Sequence, residues 1–312
     1  MASNPTQASN VAVAGQSHTN TCAWCGTVND GTQLSCRSCG ASIDVRASIA
    51  QSGWSRVPGR KDMAKLQFGS SFCQIEGKYV PVADMNLAGE DSVYFAHHVL
   101  LWKDTQVTIG AMSLKGGWKR MLAGMPIVMA QAHGPGHIAF SRDAPGDMIA
   151  LPIQPGHAVD VHEHLFVVAT SQVAYDWFNT NIWFTTRIGS GQDAENETFY
   201  PVGMFMDRFS ASHTPGLLLL HSAGNTFVRD LAPNQTILIK PSALLFKDPT
   251  VHMQLHFERP GGTWSTWGSW GERYLWLRLR GPGRVAVQSV FERAEGESGR
   301  IVNSSGATEH QW

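Results

Sequence analysis

The sequence predicts an all-β fold, and three observations point to it. Only 16% of the 312 residues are charged, which is low for a protein built from long surface helices. The 31 glycines and 15 prolines supply many turns between short apolar segments, a pattern typical of strands. Similar apolar segments then recur along the chain, which predicts a repeated β unit. With 43% hydrophobic residues, the chain is able to bury a proper core.

Charge and composition exclude several classes of protein. The net charge of −1 and the pI near 6.9 give no overall field that would attract nucleic acid or an anionic membrane. Residues 1–20 contain neither Lys nor Arg and no long apolar core, so they do not resemble a secretory signal or a mitochondrial transit peptide. Apolar runs such as GLLLLH (216–221) are far shorter than the ~18 residues of a membrane span. We therefore expect a cytoplasmic protein without a transmembrane segment.

Four of the five cysteines form a metal-binding pattern in CAWCGTVNDGTQLSCRSCG. Cys22 and Cys25 make one C-x-x-C pair, Cys36 and Cys39 make the other, and a glycine follows each pair. Two such turns place four thiolates around one tetrahedral ion, which predicts a zinc ribbon with one structural zinc. An iron site with the same spacing remains open. Two disulfides are the other alternative, but the expected compartment does not favour them.

The fifth cysteine, Cys73, stands alone before an apolar alternation and is interpreted as a small buried residue rather than a nucleophile.

Patterns of composition divide the chain into five segments. The expected segments are a disordered N-terminus (1–20), the zinc ribbon (21–41), a linker (42–62), a β domain (63–293) and a disordered tail (294–312).

The β domain repeats itself three times. LAGEDSVYFAHHVLLWKDTQVTI from Leu87 matches LAPNQTILIKPSALLFKDPTVHM from Leu231, and the stretch from Leu151 is a looser third copy. Three Pro-Gly turns that each enter a strand recur between them: HGPGHIAFS (133–141), HTPGLLLLH (213–221) and RGPGRVAVQ (280–288). Three copies of one β unit predict a pseudo-threefold array that behaves as a single domain.

Several separated motifs resemble one known family. The segments GGWKRMLAGMPIVMAQAHGPGHIAF, APGDMIALPI, DLAPNQTILIKPSALLFKD and LRLRGPGRVAVQS are similar in order and spacing to the altered inheritance of mitochondria protein 24 family. The resemblance covers about residues 63–293. It implies three β modules like the trp RNA-binding attenuation protein (TRAP-like modules), each a double-stranded β-helix. The zinc ribbon is an addition to the family's pattern, and the Trp-rich TWSTWGSWGERYLW departs from it.

The histidines of PGHAVDVHEHLFVVAT suggest a second metal site. His162 and His164 reproduce the first half of a cupin metal motif, but LFVVAT lacks the carboxylate that should follow. Aligning the repeats places His164 opposite His98 and Ser242. The alternative is that His162 and His164 share one face of a strand near a turn, half exposed.

Two further clusters are candidate contacts with a partner. Aromatic side chains stack on bases or seal an interface between proteins, and we favour the interface because the chain lacks a basic stripe. The candidate residues are Trp264, Trp267 and Trp270, together with Lys115, Trp118, Lys119 and Arg120.

These patterns favour a non-enzymatic role. No G-x-S-x-G, no phosphate-binding Gly-Lys loop and no dinucleotide fingerprint occurs in the sequence. We expect a scaffold or adaptor that binds other proteins, with a membrane surface as one setting for it. The mitochondrial members of the resembled family are linked to inner-membrane organisation, which supports this by analogy alone. An RNA- or DNA-binding protein and a cupin-like metal-dependent enzyme are the alternatives, and homo-oligomerisation remains open.

Overall fold

The fold is known from a computed structural model. It describes residues 19–22, 26–30, 36–38, 53–56, 65–112, 129–188, 195–258, 274–294, 296, 300–305 and 308–309. The chain divides into two compact units, residues 1–51 and residues 52–312. In the first unit, β1 (Thr19–Thr21) pairs antiparallel with β2 (Val28–Asp30).

The described residues of the second unit form five sheets, and the prediction of an all-β fold is confirmed. One sheet contains, in spatial order, β12 (Asp147–Ile153), β19 (Gly216–Ser222), β14 (Phe166–Thr170), β7 (Ser92–Ala96), β10 (Met129–His133) and β9 (Thr108–Ala111). The next contains β4 (Lys65–Phe68), β5 (Ser71–Glu76), β6 (Val82–Leu87), β11 (Gly136–Ser141) and β8 (Leu100–Lys103). A seven-stranded sheet contains β15 (Val173–Asn179), β18 (Phe205–Ala211), β13 (Ala158–His162), β22 (Leu244–Lys247), β25 (Gly283–Gln288), β20 (Thr226–Leu231) and β3 (Ser55–Arg56).

Two smaller sheets and two single-turn 3-10 helices complete the described elements. One sheet contains β17 (Glu195–Phe199), β16 (Phe184–Ile188) and β26 (Arg300–Ser304), and the other contains β21 (Thr236–Ile239), β24 (Tyr274–Arg280), β23 (His252–Glu258) and β27 (Thr308–Glu309). The 3-10 turns are His97–Val99 and Pro241–Ala243.

One arrangement of three strands occurs three times in the large unit. In each case the strand that follows a Pro-Gly turn (β11, β19 or β25), which we call the Pro-Gly strand, lies between two partners. Its pairing with the second partner (β8, β14 or β22) contains a shift in register, and we call this partner the shifted strand. We call these the first triplet (β6–β11–β8), the second triplet (β12–β19–β14) and the third triplet (β20–β25–β22).

The same turn contact holds the Pro-Gly segment in each triplet. In the first, the carboxylate of Asp104 accepts the His137 amide at 2.8 Å. In the third, Asp248 accepts the Arg284 amide at 2.8 Å. In the second, the Thr170 hydroxyl accepts the amide of Leu217 at 3.1 Å. The repeated LLWKD and LLFKD blocks therefore end in an aspartate that accepts a hydrogen bond from an amide at the start of the Pro-Gly strand.

A strand that we call the leading strand precedes each shifted strand along the chain, and two of the three leading strands join one triplet to the next. The leading strands are β7, β13 and β21, and the shifted strands that follow them are β8, β14 and β22. β7 pairs with β14 of the second triplet, and β13 pairs with β22 of the third. Fully buried side chains fill both junctions, among them Phe95 with Val168 and Val161 with Phe246.

Strands also occur in two segments that the sequence predicts to be unstructured. Within the expected linker (42–62), β3 pairs with β20. Within the expected tail (294–312), β26 pairs with β16, and β27 pairs parallel with β23. These segments are polar and short, so their composition carries no strand pattern, and only the edges of distant strands give them partners.

Gly283 tests the turn contact. It has a φ of +132°, and a Cβ atom there would lie 2.7 Å from Thr250 Oγ1 and 3.1 Å from Asp248 Cβ. We expect Gly283→Ala to lower the free energy of unfolding by about 1–3 kcal/mol, measured by urea denaturation. The control is Gly89→Ala, at an exposed turn where a Cβ meets no atom within 4 Å. Equal losses in both variants would contradict the role of the turn.

Candidate functional sites

The cysteine-rich unit places two predicted ligands side by side. Cys22 and Cys36 are both buried and form a small cluster of their own. The Cys22 carbonyl accepts the amide of Gly26 at 2.9 Å, which closes a tight turn in which Gly26 has a φ of +71°. Cys25 and Cys39 lie outside the described residues.

Hydrogen bonds to sulfur suit a thiolate at Cys36. Its Sγ accepts the Ser38 amide at 3.4 Å and the Asn29 side-chain amide at 3.5 Å, and Asn29 is itself buried. The side-chain oxygen of Asn29, Oδ1, accepts a hydrogen bond from the backbone amide of Arg37, and this contact holds the Asn29 side chain in place. Donors aimed at sulfur stabilise negative charge there, as a metal-bound thiolate requires, so these residues fit a zinc ligand set.

The two histidines of the cupin-like motif occupy different surroundings. His162 ends β13, and its Nε2 is enclosed without a protein hydrogen-bond partner, while its Nδ1 lies 3.1 Å from the Glu163 carbonyl. His164 lies beyond the strand with a φ of +67°, and its side chain is exposed. Within the described part of the chain, no group of three His, Cys, Asp or Glu side chains is placed to hold a metal. The His162/His164 metal site remains a hypothesis.

An arginine that sequence reasoning missed connects the aligned histidines. The Nη1 of Arg142 lies 3.3 Å from His98 Nε2 and donates to the His164 carbonyl. Burial lowers the pKa of His98, and Arg142 lowers it further. Arg142 follows β11 at a place where the aligned repeats carry serine, so its sequence position gives no signal. The Arg142 guanidinium therefore contacts both the loop between β7 and β8, through His98, and the loop between β13 and β14, through His164.

A buried group of charges joins the second and third triplets. Asp160 is fully buried, and its carboxylate lies 2.6 Å from Arg208 Nε and 2.8 Å from Lys247 Nζ. Burial lowers the pKa of Lys247 in spite of the attraction of Asp160. Such a cluster is costly to break because one partner would stay buried and uncompensated. We interpret it as a contact that positions the strands.

The first triplet exposes side chains that the other two triplets bury. Leu101 and Trp102 on β8 are 52% and 48% exposed. We call these two residues the apolar edge. The residues aligned with Leu101 and Trp102 are Val167 and Val168 in the second triplet and Leu245 and Phe246 in the third, and all four are 0–1% exposed. Apolar side chains left open at a sheet edge are typical of an interaction surface.

The remaining sequence candidates lie outside the described residues. They are Lys115, Trp118, Lys119 and Arg120 in the segment 113–128, and Trp264, Trp267 and Trp270 in the segment 259–273. The interface and nucleic-acid hypotheses that rest on them remain hypotheses.

Comparison with known proteins decides the family. Residues 73–290 match the family model described as Mitochondrial biogenesis AIM24. The chain belongs to this family. The resemblance predicted from the motifs is thus confirmed over most of the chain, with the cysteine-rich unit outside the matched region. The family description concerns mitochondrial biogenesis and names no reaction.

A solved structure shares the fold of this AIM24-family chain. It is the crystal structure of a Streptococcus pyogenes protein, with a TM-score of 0.50 and 17% identity, and the match covers 71% of this chain and 94% of that one. At this identity the similarity shows the fold alone. No curated protein matches the chain. No helix among the described residues has the length and hydropathy needed to cross a bilayer.

The part-buried His162 predicts acid sensitivity. Burial lowers the pKa of His162, so below its unfolded value of about 6.5 the unfolded chain binds the extra proton. We expect the free energy of unfolding to fall as the pH drops from about 6.5 toward the folded pKa, by at most about 1.4 kcal/mol per pH unit for this residue.

Urea denaturation at pH 7.5 and pH 5.5 checks this expectation. The pH dependence should be weaker in His162→Gln than in the unsubstituted protein. The matched control is His133→Gln, which changes an exposed histidine and should keep the full dependence. An unchanged slope in His162→Gln would contradict the assignment.

Proposed function

We propose that this chain is a non-enzymatic scaffold or adaptor that binds other proteins through the apolar edge. The observation that carries the proposal is the exposure of Leu101 and Trp102, whose counterparts in the other triplets are covered by a neighbouring strand. Large apolar and aromatic side chains in the centre of a contact carry most of its binding energy. Edge strands also offer unpaired backbone groups that a partner strand can bond.

The repeated β architecture supports the same role. The three triplets, with their shared turn contact, favour the interpretation as three TRAP-like modules in a pseudo-threefold array. In such an array each module holds its neighbour rigidly, so an exposed edge on one module is preorganised for binding. Preorganisation reduces the entropy lost on association.

The cysteine-rich unit is proposed to hold one structural zinc through Cys22, Cys25, Cys36 and Cys39. The support is the burial of Cys22 beside Cys36 and the two donors aimed at the Cys36 sulfur. Four protein ligands leave no open coordination position, so the ion would stabilise the unit rather than perform chemistry.

Metal content tests the zinc site. We expect about one zinc per chain by plasma mass spectrometry, and its loss in Cys22→Ser and Cys36→Ser, because three ligands hold the ion far more weakly. Cys73→Ala changes a cysteine buried in the β unit and should keep the zinc, as should His164→Gln. Iron in place of zinc would correct the metal. Full zinc in Cys22→Ser would contradict the site.

Site-specific photocrosslinking in the native cell tests the scaffold role. A photoreactive residue replaces Trp102, and the matched control replaces Tyr79, which is 72% exposed and lies away from the apolar edge. We expect defined protein adducts from position 102 that are absent from position 79 and are reduced at least tenfold by Leu101→Asp, since central apolar contacts are each worth more than about 1 kcal/mol.

The identity of the adducts separates the alternatives. Proteins found by mass spectrometry at position 102 support a scaffold, whereas adducts with RNA or DNA favour the nucleic-acid alternative. Identical adducts at positions 102 and 79, or none at either, would contradict the proposed role of the apolar edge.

A further inference from the structure

Two of the three leading strands pair with the next triplet in the same register. At the first junction Phe95 of β7 lies opposite Val168, and Tyr94 lies opposite Ala169. At the second, Val161 of β13 lies opposite Phe246, and Asp160 lies opposite Lys247. Val168 and Phe246 are aligned in the repeats, and so are Phe95 and Val161. One rule therefore governs both junctions.

The same rule assigns partners to the two strands left over. The third leading strand is β21, and the shifted strand that no leading strand covers is β8. By alignment, Ile239 corresponds to Phe95 and Val161, and Trp102 corresponds to Val168 and Phe246. The rule then sets Trp102 opposite Ile239 and Lys103 opposite Leu238. Among the described residues no pairing joins β8 to β21, and each forms an edge of its sheet.

Among the described residues, each of the two edges has a side chain that is exposed although its aligned counterparts are buried. Leu238 of β21 is 41% exposed, whereas the aligned Tyr94 and Asp160 are 2% and 0% exposed at their junctions. Trp102 is likewise about half exposed, in contrast to its buried counterparts. The two edges thus carry complementary halves of a junction that the described residues form twice.

We propose that β21 of one copy of this chain pairs antiparallel with β8 of a second copy, so that the protein self-associates head to tail. The pairing would cover Trp102, set beside Ile239, which is already 7% exposed, and it would place Leu238 beside Lys103. If two copies satisfy both edges reciprocally, the dimer has two-fold symmetry and closes. If they do not, the contact is heterologous and longer arrays form. The inference rests on the proposed role of the apolar edge and names its occupant.

The lysine in this contact needs no acidic partner. Lys247, its counterpart in the third triplet, is paired with Asp160, but Leu238 replaces that carboxylate on β21. The Nζ of Lys103 already bonds the carbonyls of Asp104 and Val107, at 3.2 and 3.0 Å. Its aliphatic stem is therefore able to cover Leu238 while its charge stays satisfied.

The mass of the purified full-length protein in solution tests self-association. Sedimentation analysis over a range of concentrations should give a dimer or larger species. Trp102→Glu and Leu238→Lys should each weaken association at least tenfold, because the first buries an unpaired charge in the contact and the second places a second cation opposite Lys103. Tyr79→Glu, at an exposed site on neither edge, is the matched control. A monomer at all concentrations, or an oligomer that both edge variants leave unchanged, would overturn the proposal.

Disulfide formation tests the register. Lys103→Cys and Leu238→Cys are made as separate variants and mixed under oxidising conditions, since directly opposed residues lie within disulfide range. A covalent dimer should form in the mixture and not in either variant alone or in the unsubstituted protein with its own five cysteines. Lys103→Cys mixed with Thr236→Cys is the register control, because Thr236 lies two residues away on the same face.

The two proposals fail separately in these experiments. A monomeric protein that still gives protein adducts at position 102 in the cell would overturn self-association and leave the scaffold role standing. A disulfide that forms within one chain when both cysteines are introduced together, and not between chains, would show that β8 and β21 close on each other, and it would also overturn self-association.

Discussion

The large unit depends on one interaction: in the second and third triplets, an apolar shifted strand is covered by a leading strand that comes from the preceding part of the chain. A β-sheet buries a face only by packing against another element. Here β7 covers β14 and β13 covers β22, and the clusters around Phe95 and Phe246 lie at these two junctions. Strands from different parts of the chain therefore bury one another, and the second or third triplet without its leading strand would expose much of its core.

The Pro-Gly turns set the geometry that makes this covering work. An acceptor at the end of each shifted strand, Asp104, Thr170 or Asp248, binds the amide at the start of the Pro-Gly strand. This contact fixes where the two strands begin relative to each other. The register at the junctions is then the same in different triplets, because each shifted strand is presented in the same way. Thr170 replaces aspartate in the second copy, and a hydroxyl serves as well as a carboxylate since only one acceptor is needed.

The polar groups differ between the two junctions. The first junction buries the Tyr94 ring, and the second buries Asp160 with Arg208 and Lys247. A charge cluster of this kind adds little net stability but tolerates few other arrangements of its partners, so it favours one pairing of strands over another. Different polar contacts at otherwise equivalent junctions would help each leading strand to find its own partner. Leu238 in the third copy lacks this feature and leaves an apolar surface instead.

The sequence by itself determined the all-β class, the family and the repeated blocks, because Pro-Gly turns and alternating apolar residues are local signals that need no knowledge of distant neighbours. It also singled out the cysteine pairs by spacing alone. Only the tertiary structure decided which repeated strands are covered: Trp102 and Phe246 look alike in sequence, yet one is exposed and the other buried. The contacts of Arg142, the charges around Asp160 and the strand Arg300–Ser304 were invisible for the same reason. Each depends on residues that meet across more than twenty positions of chain, and such meetings leave no local pattern.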